Sequence, residues 1–194
     1  MAEPDGRTAD AGRVPIVLRH LDPAEFRLRV RDLLDIYVAA MRYPAGTGQA
    51  RTMLWVEHSS RPGFDCVVAV DETGALHGLA YGYRGLPGQW WHGEVLRGLG
   101  SPDNFWLLDY VELTELHVRP ASQGGGLGEA MLRALMAGRS EGKVLLSTPE
   151  ATNRAWRLYR RLGFVDVLRD FRFTGDPRPF GVLGRQLPFD PPRG

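Results

Sequence analysis

The stretch Leu116-His-Val-Arg-Pro-Ala-Ser-Gln-Gly-Gly-Gly-Leu-Gly128 decides the fold. An apolar strand ends at Val118, a glycine-rich turn follows, and a helical pattern continues to about Gly138. Backbone amides at a helix N-terminus form an anion-binding site when no side chains block them. The expected ligand is a diphosphate. The dinucleotide pattern G-x-G-x-x-G fails in both registers, and the Gly-Lys-Ser/Thr of a P-loop is missing. The pattern that fits is Gln-x-x-Gly-x-Gly, and a merely flexible turn is the alternative.

The strand before this turn changes its alternation. Val111 and Leu113 are in one phase, whereas Leu116 and Val118 are in the other. A β-bulge near Thr114-Glu115 would return all four side chains to one face. Because a bulge leaves backbone groups unpaired, its amides would be available to a ligand or to an oxyanion.

The remaining chain predicts one domain of mixed helices and strands. The segment from Arg84 to Asn104, which contains Trp90-Trp91-His92, is expected to be a long irregular loop. The other expected elements are strands at 14–19, 66–70, 76–81, 106–118, 144–147, 165–173 and 180–187, and helices at 23–43, 49–58, 126–138 and 153–162.

Composition excludes several classes of protein. The 194 residues carry 24 basic and 23 acidic side chains, a net charge of +1, without the basic excess of a nucleic-acid binder. No run approaches the roughly 20 apolar residues of a membrane span. The single cysteine, Cys66, cannot form an internal disulfide, is expected in the core, and favours a cytoplasmic location. Residues 1–13 are expected to be a flexible tail before a domain at 14–190.

Two motifs together resemble the GCN5-related N-acetyltransferase (GNAT) family. Motif A resembles Leu116 to Gly128, and motif B resembles Asn153-Arg-Ala-Trp-Arg-Leu-Tyr-Arg-Arg-Leu-Gly-Phe164. The resemblance implies an α/β domain whose twisted mixed sheet, flanked by helices, splays at the bulged strand to admit acetyl-CoA. It implies that the cofactor is bound by Leu116, His117, Val118, Gln123, Gly124, Gly125, Gly126, Leu127, Gly128, Glu129 and Asn153.

Acetyl transfer to an amine requires a base for the ammonium and an acid for the departing thiolate. Glu112 falls where the histone-acetylating branch of the family carries its catalytic glutamate, Glu115 is the alternative, and ordered water is a third possibility. Tyr159 matches the family's acid. Asn153 and Tyr159 are expected to share the cofactor side of their helix, with Ala155, Leu158 and Leu162 towards the sheet. No metal is expected, and His117 is expected to be an ordinary strand residue.

The resemblance therefore predicts an acetyl-CoA-dependent N-acetyltransferase that acts on a small-molecule or protein amine in a ternary complex. The rivals are the same fold with another acyl-CoA, and a non-catalytic CoA-binding sensor or partner module. A homodimer is predicted through the apolar region Phe171–Phe189. The tryptophans Trp90 and Trp91 would line an acceptor pocket or cover the sheet or a partner subunit.

Overall fold

The computed structural model describes residues 15–190, so the predicted tail at 1–13 lies outside the described residues. Short 3-10 turns occur at Gln49–Arg51, Phe105–Leu107 and Pro120–Ser122. The elements, in chain order, are β1 (Ile16–Leu21), α1 (Pro23–Met41), α2 (Thr52–His58), β2 (Asp65–Asp71), β3 (Leu76–Arg84), α3 (Trp90–Leu99), β4 (Tyr110–Val118), α4 (Leu127–Met136), β5 (Lys143–Pro149), α5 (Arg154–Arg161), β6 (Val165–Phe171) and β7 (Phe180–Gln186).

The strands of residues 15–190 form one mixed sheet in the order β1-β2-β3-β4-β5-β7-β6. All pairs are antiparallel except β4 with β5, which is parallel and short. These two strands pair only from Tyr110 with Lys143 to Glu112 with Leu145, and then they diverge. The predicted splayed, mixed sheet is confirmed, and Glu112 lies where the splay begins.

A bulge in β4 accounts for the broken alternation. Tyr81 of β3 pairs with Glu115, but the next residue, Gly82, pairs with Leu113, so Thr114 is the extra residue. The bulge returns Leu116 and Val118 to the apolar face that contains Val111 and Leu113. The predicted position of the bulge is therefore confirmed.

Alternation in β2 assigns the helices to the two faces of the sheet. Val67 and Ala69 pack with α4 and α5, whereas Cys66 and Val68 pack with α1 and α2. Helix α1 begins where expected, because the Asp22 side chain accepts hydrogen bonds from the amides of Ala24 and Glu25. The Glu25 side chain accepts in turn from the amide of Asp22, which completes a capping box. Cys66 lies in the core, as predicted.

The predicted irregular loop between Arg84 and Asn104 is wrong, since its middle, Trp90–Leu99, is helix α3. Trp91, Val95 and Leu99 recur at intervals of four residues and pack towards a third core cluster, and Gly100 ends the helix in the left-handed conformation. Trp91 donates to the hydroxyl of Ser147 over 3.1 Å, so this tryptophan covers the sheet. Within residues 15–190 no helix combines the length and apolarity required to cross a membrane.

Gly82 provides a test of the bulge. A Cβ at this position would lie 2.3 Å from the carbonyl oxygen of Glu112. Gly82→Ala should therefore force the two strands apart and lower the free energy of unfolding by about 1–3 kcal/mol. Gly93→Ala, inside α3 with open space around it, is the matched control and should be neutral or stabilising. Equal urea midpoints for the two variants would contradict the importance of this close approach.

Candidate active site

A cleft of about 320 Å³ opens where β4 leaves β5. Its walls combine the end of β4, the glycine turn, the start of α4 and one side of α5. The lining residues are Leu116, Val118, Ser122, Gln123, Gly124, Gly126, Leu127, Gly128, Glu129, Arg154, Ala155, Arg157, Leu158, Tyr159 and Arg161.

The glycine turn forms a cradle of backbone amides at one end of the cleft. Gly124 and Gly126 have φ values of 93° and 79°, which glycine adopts without strain. Helix α4 follows at once, and its first intrahelical bond runs from the amide of Ala130 to the carbonyl of Gly126. The amides of the preceding helical residues have no partner within the helix and are available to an anion. Gln123 stabilises the turn by donating from Nε2 to the carbonyl of Val118 over 2.9 Å.

Hydrogen bonding within the sheet determines which amides of β4 face the cleft. Just beyond the end of β4, the amide of Arg119 donates to the carbonyl of His77 in β3, over 2.8 Å. Because such bonds alternate along antiparallel strands, His117 also directs its amide towards β3, whereas Leu116 and Val118 direct theirs away from it. Two of the three expected backbone contacts with the cofactor are therefore available, and that of His117 is not.

The expected arrangement of α5 is wrong in one respect. Six residues are about 1.7 turns, so Asn153 and Tyr159 do not share a side of the helix. Asn153 caps α5, accepting from the amide of Trp156 over 3.1 Å, and lines a separate depression. The side that faces the cleft contains Tyr159 with Ala155 and Leu158, two of the three residues expected towards the sheet, and these two also pack against the core.

Tyr159 is a buried phenol at the inner end of the cleft. Burial, and then the charge of Glu115, raise the pKa of Tyr159 above its usual value. The phenol therefore remains protonated at neutral pH and keeps a proton to donate.

Glu112 is a buried carboxyl group at the start of the splay, with only 4% of its surface exposed. Tyr83 donates to its Oε1 over 3.1 Å, and its Oε2 has no hydrogen-bond partner among residues 15–190. Burial raises the pKa of Glu112 to about 8, although the hydrogen bond from Tyr83 and the charge of Arg61 oppose the rise. A carboxyl group with such a pKa exchanges protons near neutral pH, as general bases do.

Glu115 lies on the same face, but both of its oxygens already have side-chain neighbours. Its Oε2 is 2.6 Å from Nε2 of His117, and its Oε1 is 3.8 Å from Nη1 of Arg51. His117 is thus a half-buried partner of this carboxylate, packed edge-on against the ring of Tyr37. Sequence reasoning missed Arg51, Arg61 and Tyr83, because only pairing between β3 and β4 and the packing of α2 bring them beside the two glutamates.

No cluster of three or more histidine, cysteine, aspartate or glutamate side chains that could hold a metal occurs in the described part of the chain. The glycine cradle and the arginines of α5 instead fit the phosphates of a nucleotide cofactor.

Comparison with known proteins identifies the family. Residues 62–166 match the family model described as an acetyltransferase (GNAT) domain. The chain is 47% identical over 203 residues to the GCN5-like protein acetyltransferase Rv2170 of Mycobacterium tuberculosis, covering 89% of this chain and 98% of that protein. This chain belongs to the GNAT acetyltransferase family.

Solved structures share the fold of this GNAT protein. YncA of Salmonella typhimurium, solved with its cofactor acetyl-CoA, matches with a TM-score of 0.60 and 18% identity over 93% of this chain and 98% of that one. The ribosomal-protein-S18-alanine N-acetyltransferase of Escherichia coli matches with a TM-score of 0.62 and 15% identity, covering 91% and 97%. The family uses acetyl-CoA, and the amide cradle of this chain fits its pyrophosphate.

Glu112 should make stability depend on pH. Its pKa is about 8 in the folded protein and about 4.3 in the unfolded chain, so between these values the folded state holds one more proton. The contribution of the protonated Glu112 side chain to the free energy of unfolding is complete below pH 4 and is lost as pH rises through 8. The free energy of unfolding should fall by up to about 1.4 kcal/mol per pH unit in this window.

Urea unfolding of the wild type and Glu112→Gln at several pH values between 5 and 9 measures this effect. Taking the difference between the two proteins cancels other groups, such as His58, whose pKa burial lowers to about 4. A difference that does not vary with pH would show that Glu112 ionises normally.

Proposed function

We propose that this chain transfers the acetyl group of acetyl-CoA to a primary amine of a protein, by direct attack within a ternary complex. The observation that carries this proposal is the placement of Glu112. This buried carboxyl group belongs to the last residue of β4 that pairs with β5, and the cleft lined by the amide cradle and Tyr159 begins four residues later at Leu116.

The cofactor would lie along the opened edge of β4. Its pyrophosphate would bind the amides from Gly124 to Glu129, with positive charge supplied by Arg154, Arg157 and Arg161 of α5. The amides of Leu116 and Val118 would bind the pantetheine arm and the thioester carbonyl, and such a bond stabilises the oxyanion as nitrogen attacks.

Two groups would handle the protons. Glu112 accepts a proton from the ammonium, and the neutral amine then forms a bond to the carbonyl carbon. As the carbon–sulfur bond breaks, Tyr159 donates its proton to the thiolate and recovers one from the nitrogen of the new amide. Glu112 later releases its proton to solvent, so the reaction yields an amide, CoA and one proton. Glu112 supports this role better than Glu115, because one oxygen of Glu115 already faces Arg51 and the other already contacts the ring of His117.

A protein amine is the proposed acceptor because the Mycobacterium tuberculosis relative is described as a protein acetyltransferase. Thiol release with peptides that present a lysine or a free N-terminus, beside small amines, tests this choice. Preference for small amines would overturn it. A faster rate with another acyl-CoA would favour the acyl-transferase rival, and cofactor binding without any transfer would favour the sensor.

Cofactor binding should depend on the conformation of the glycine turn. At Gly126 the φ of 79° disfavours any side chain, although the space around it is open. Gly126→Val should therefore distort the amide cradle and weaken acetyl-CoA binding more than about tenfold in calorimetry. Gly138→Val, with a φ of 72° and equal space just beyond the other end of α4, is the matched control. Equal affinities in the two variants would place the pyrophosphate elsewhere.

Kinetic measurements on two variants should distinguish the two proton transfers. Glu112→Gln and Tyr159→Phe should each lower kcat about a hundredfold or more while changing acetyl-CoA affinity little. Glu112→Gln should also abolish the rise of kcat/KM with pH near 8, since the base is gone. An unchanged pH profile in Glu112→Gln would exclude Glu112 as the base, and wild-type turnover in Tyr159→Phe would make water the acid.

A further inference from the structure

A chain of two hydrogen bonds connects the carboxyl group of Glu112 to a guanidinium group. Nη1 of Arg61, in the turn after α2, donates to the hydroxyl oxygen of Tyr83 over 2.7 Å. That hydroxyl in turn lies 3.1 Å from Oε1 of Glu112. Tyr83 is 1% exposed and faces Glu112 across the register of β3 and β4, so the middle of this chain is sealed from solvent.

The chemistry of arginine fixes the direction of this chain. A guanidinium group has only donors, so the oxygen of Tyr83 must act as the acceptor from Arg61. The hydroxyl proton is then left to point at Oε1 of Glu112, which makes Oε2 the oxygen without a partner. Arg61 is itself immobilised, because its guanidinium lies 4.6 Å from the ring centroid of Tyr83 and its Nη2 donates to Glu57 over 3.0 Å.

We propose that Arg61 is a positioning residue for acetyl transfer, acting through Tyr83 so that Oε1 of Glu112 is held and Oε2 receives the proton of the amine. The inference rests on the proposed role of Glu112 and adds the residues that prepare it. Without Arg61, the hydroxyl of Tyr83 can rotate, either carboxyl oxygen can carry the proton, and the nearest cation is lost.

The surroundings of Glu112 make Arg61 the principal source of positive charge. Burial and the carboxylate of Glu115 disfavour the ionised form of Glu112, while Tyr83 and Arg61 favour it. The titratable groups that face Glu112 or contact its partners are Tyr81 and Tyr83 of β3, Tyr110 and Glu115 of β4, Glu57 and His58 of α2, and Arg61 itself. Removing the cation should therefore raise the pKa of the base.

The test is the pH dependence of kcat/KM for acetyl transfer to a lysine peptide at saturating acetyl-CoA. Arg61→Met should move the rising limb upward by about one pH unit, which lowers kcat/KM roughly tenfold at pH 7 and restores most of it above pH 9. Arg61→Lys should lie between the two, because an ammonium restores the charge but not the fixed geometry. Arg27→Met is the matched control: Arg27 donates to Ser59 over 3.0 Å beside the same turn, and its loss should leave the limb in place.

Tyr83→Phe keeps the guanidinium of Arg61 and removes the hydroxyl that connects it to Glu112. This variant therefore tests the hydrogen-bond chain even if Arg61→Met does not fold. It too should move the limb upward, and adding Arg61→Met to it should move the limb less than in the wild-type background. The positioning role is overturned if the rising limb of kcat/KM stays in place in Tyr83→Phe and in a folded Arg61 variant. If Glu112→Gln still abolishes the limb in that case, Glu112 remains the base. A limb that persists in Glu112→Gln instead refutes the proposed base.

Discussion

The extra residue in β4, Thr114, is the constraint on which the rest of the site depends. It makes both ends of the strand present their apolar side chains to the same face, so α4 and α5 pack against one continuous surface. It is also followed by the amides of Leu116 and Val118, directed away from β3 at an edge that β5 has left. A regular strand would require either a polar core face or a closed sheet. The bulge removes this conflict, and it is possible only because Gly82 allows the backbones to approach closely.

Strand β4 connects two regions with opposed electrostatic environments. At one end, the unpaired amides at the start of α4 and the arginines of α5 favour negative charge. At the other end, burial disfavours the charge of Glu112, and a single chain through Tyr83 to Arg61 moderates this effect. The first region therefore suits the proposed binding of phosphate, and the second suits the proposed proton exchange by a desolvated carboxyl group.

Local patterns predicted the elements whose signals lie within a few residues. The glycine turn, the start of α1 at Pro23 and the bulge near Thr114 were all identified, because each depends on backbone conformation or alternation at adjacent positions. Helix α3 was mistaken for a loop because its glycines and adjacent tryptophans mask a spacing of four residues. The error at Asn153 was one of helical geometry, since 1.7 turns do not return a side chain to the same face.

The sequence by itself determined the family, the glycine turn and the candidates for acid and base, because motif spacing encodes these locally. Only the tertiary structure decided the burial, the hydrogen-bond partners and the charge state of those groups. Arg61 precedes Tyr83 by 22 residues and Tyr83 precedes Glu112 by 29, and they meet through strand register and the packing of α2. Burial, the direction of a hydrogen bond and the pairing of Glu115 with His117 are properties of neighbours in space. The charge state of a carboxyl group depends on that surrounding volume, which the order of residues along the chain does not specify.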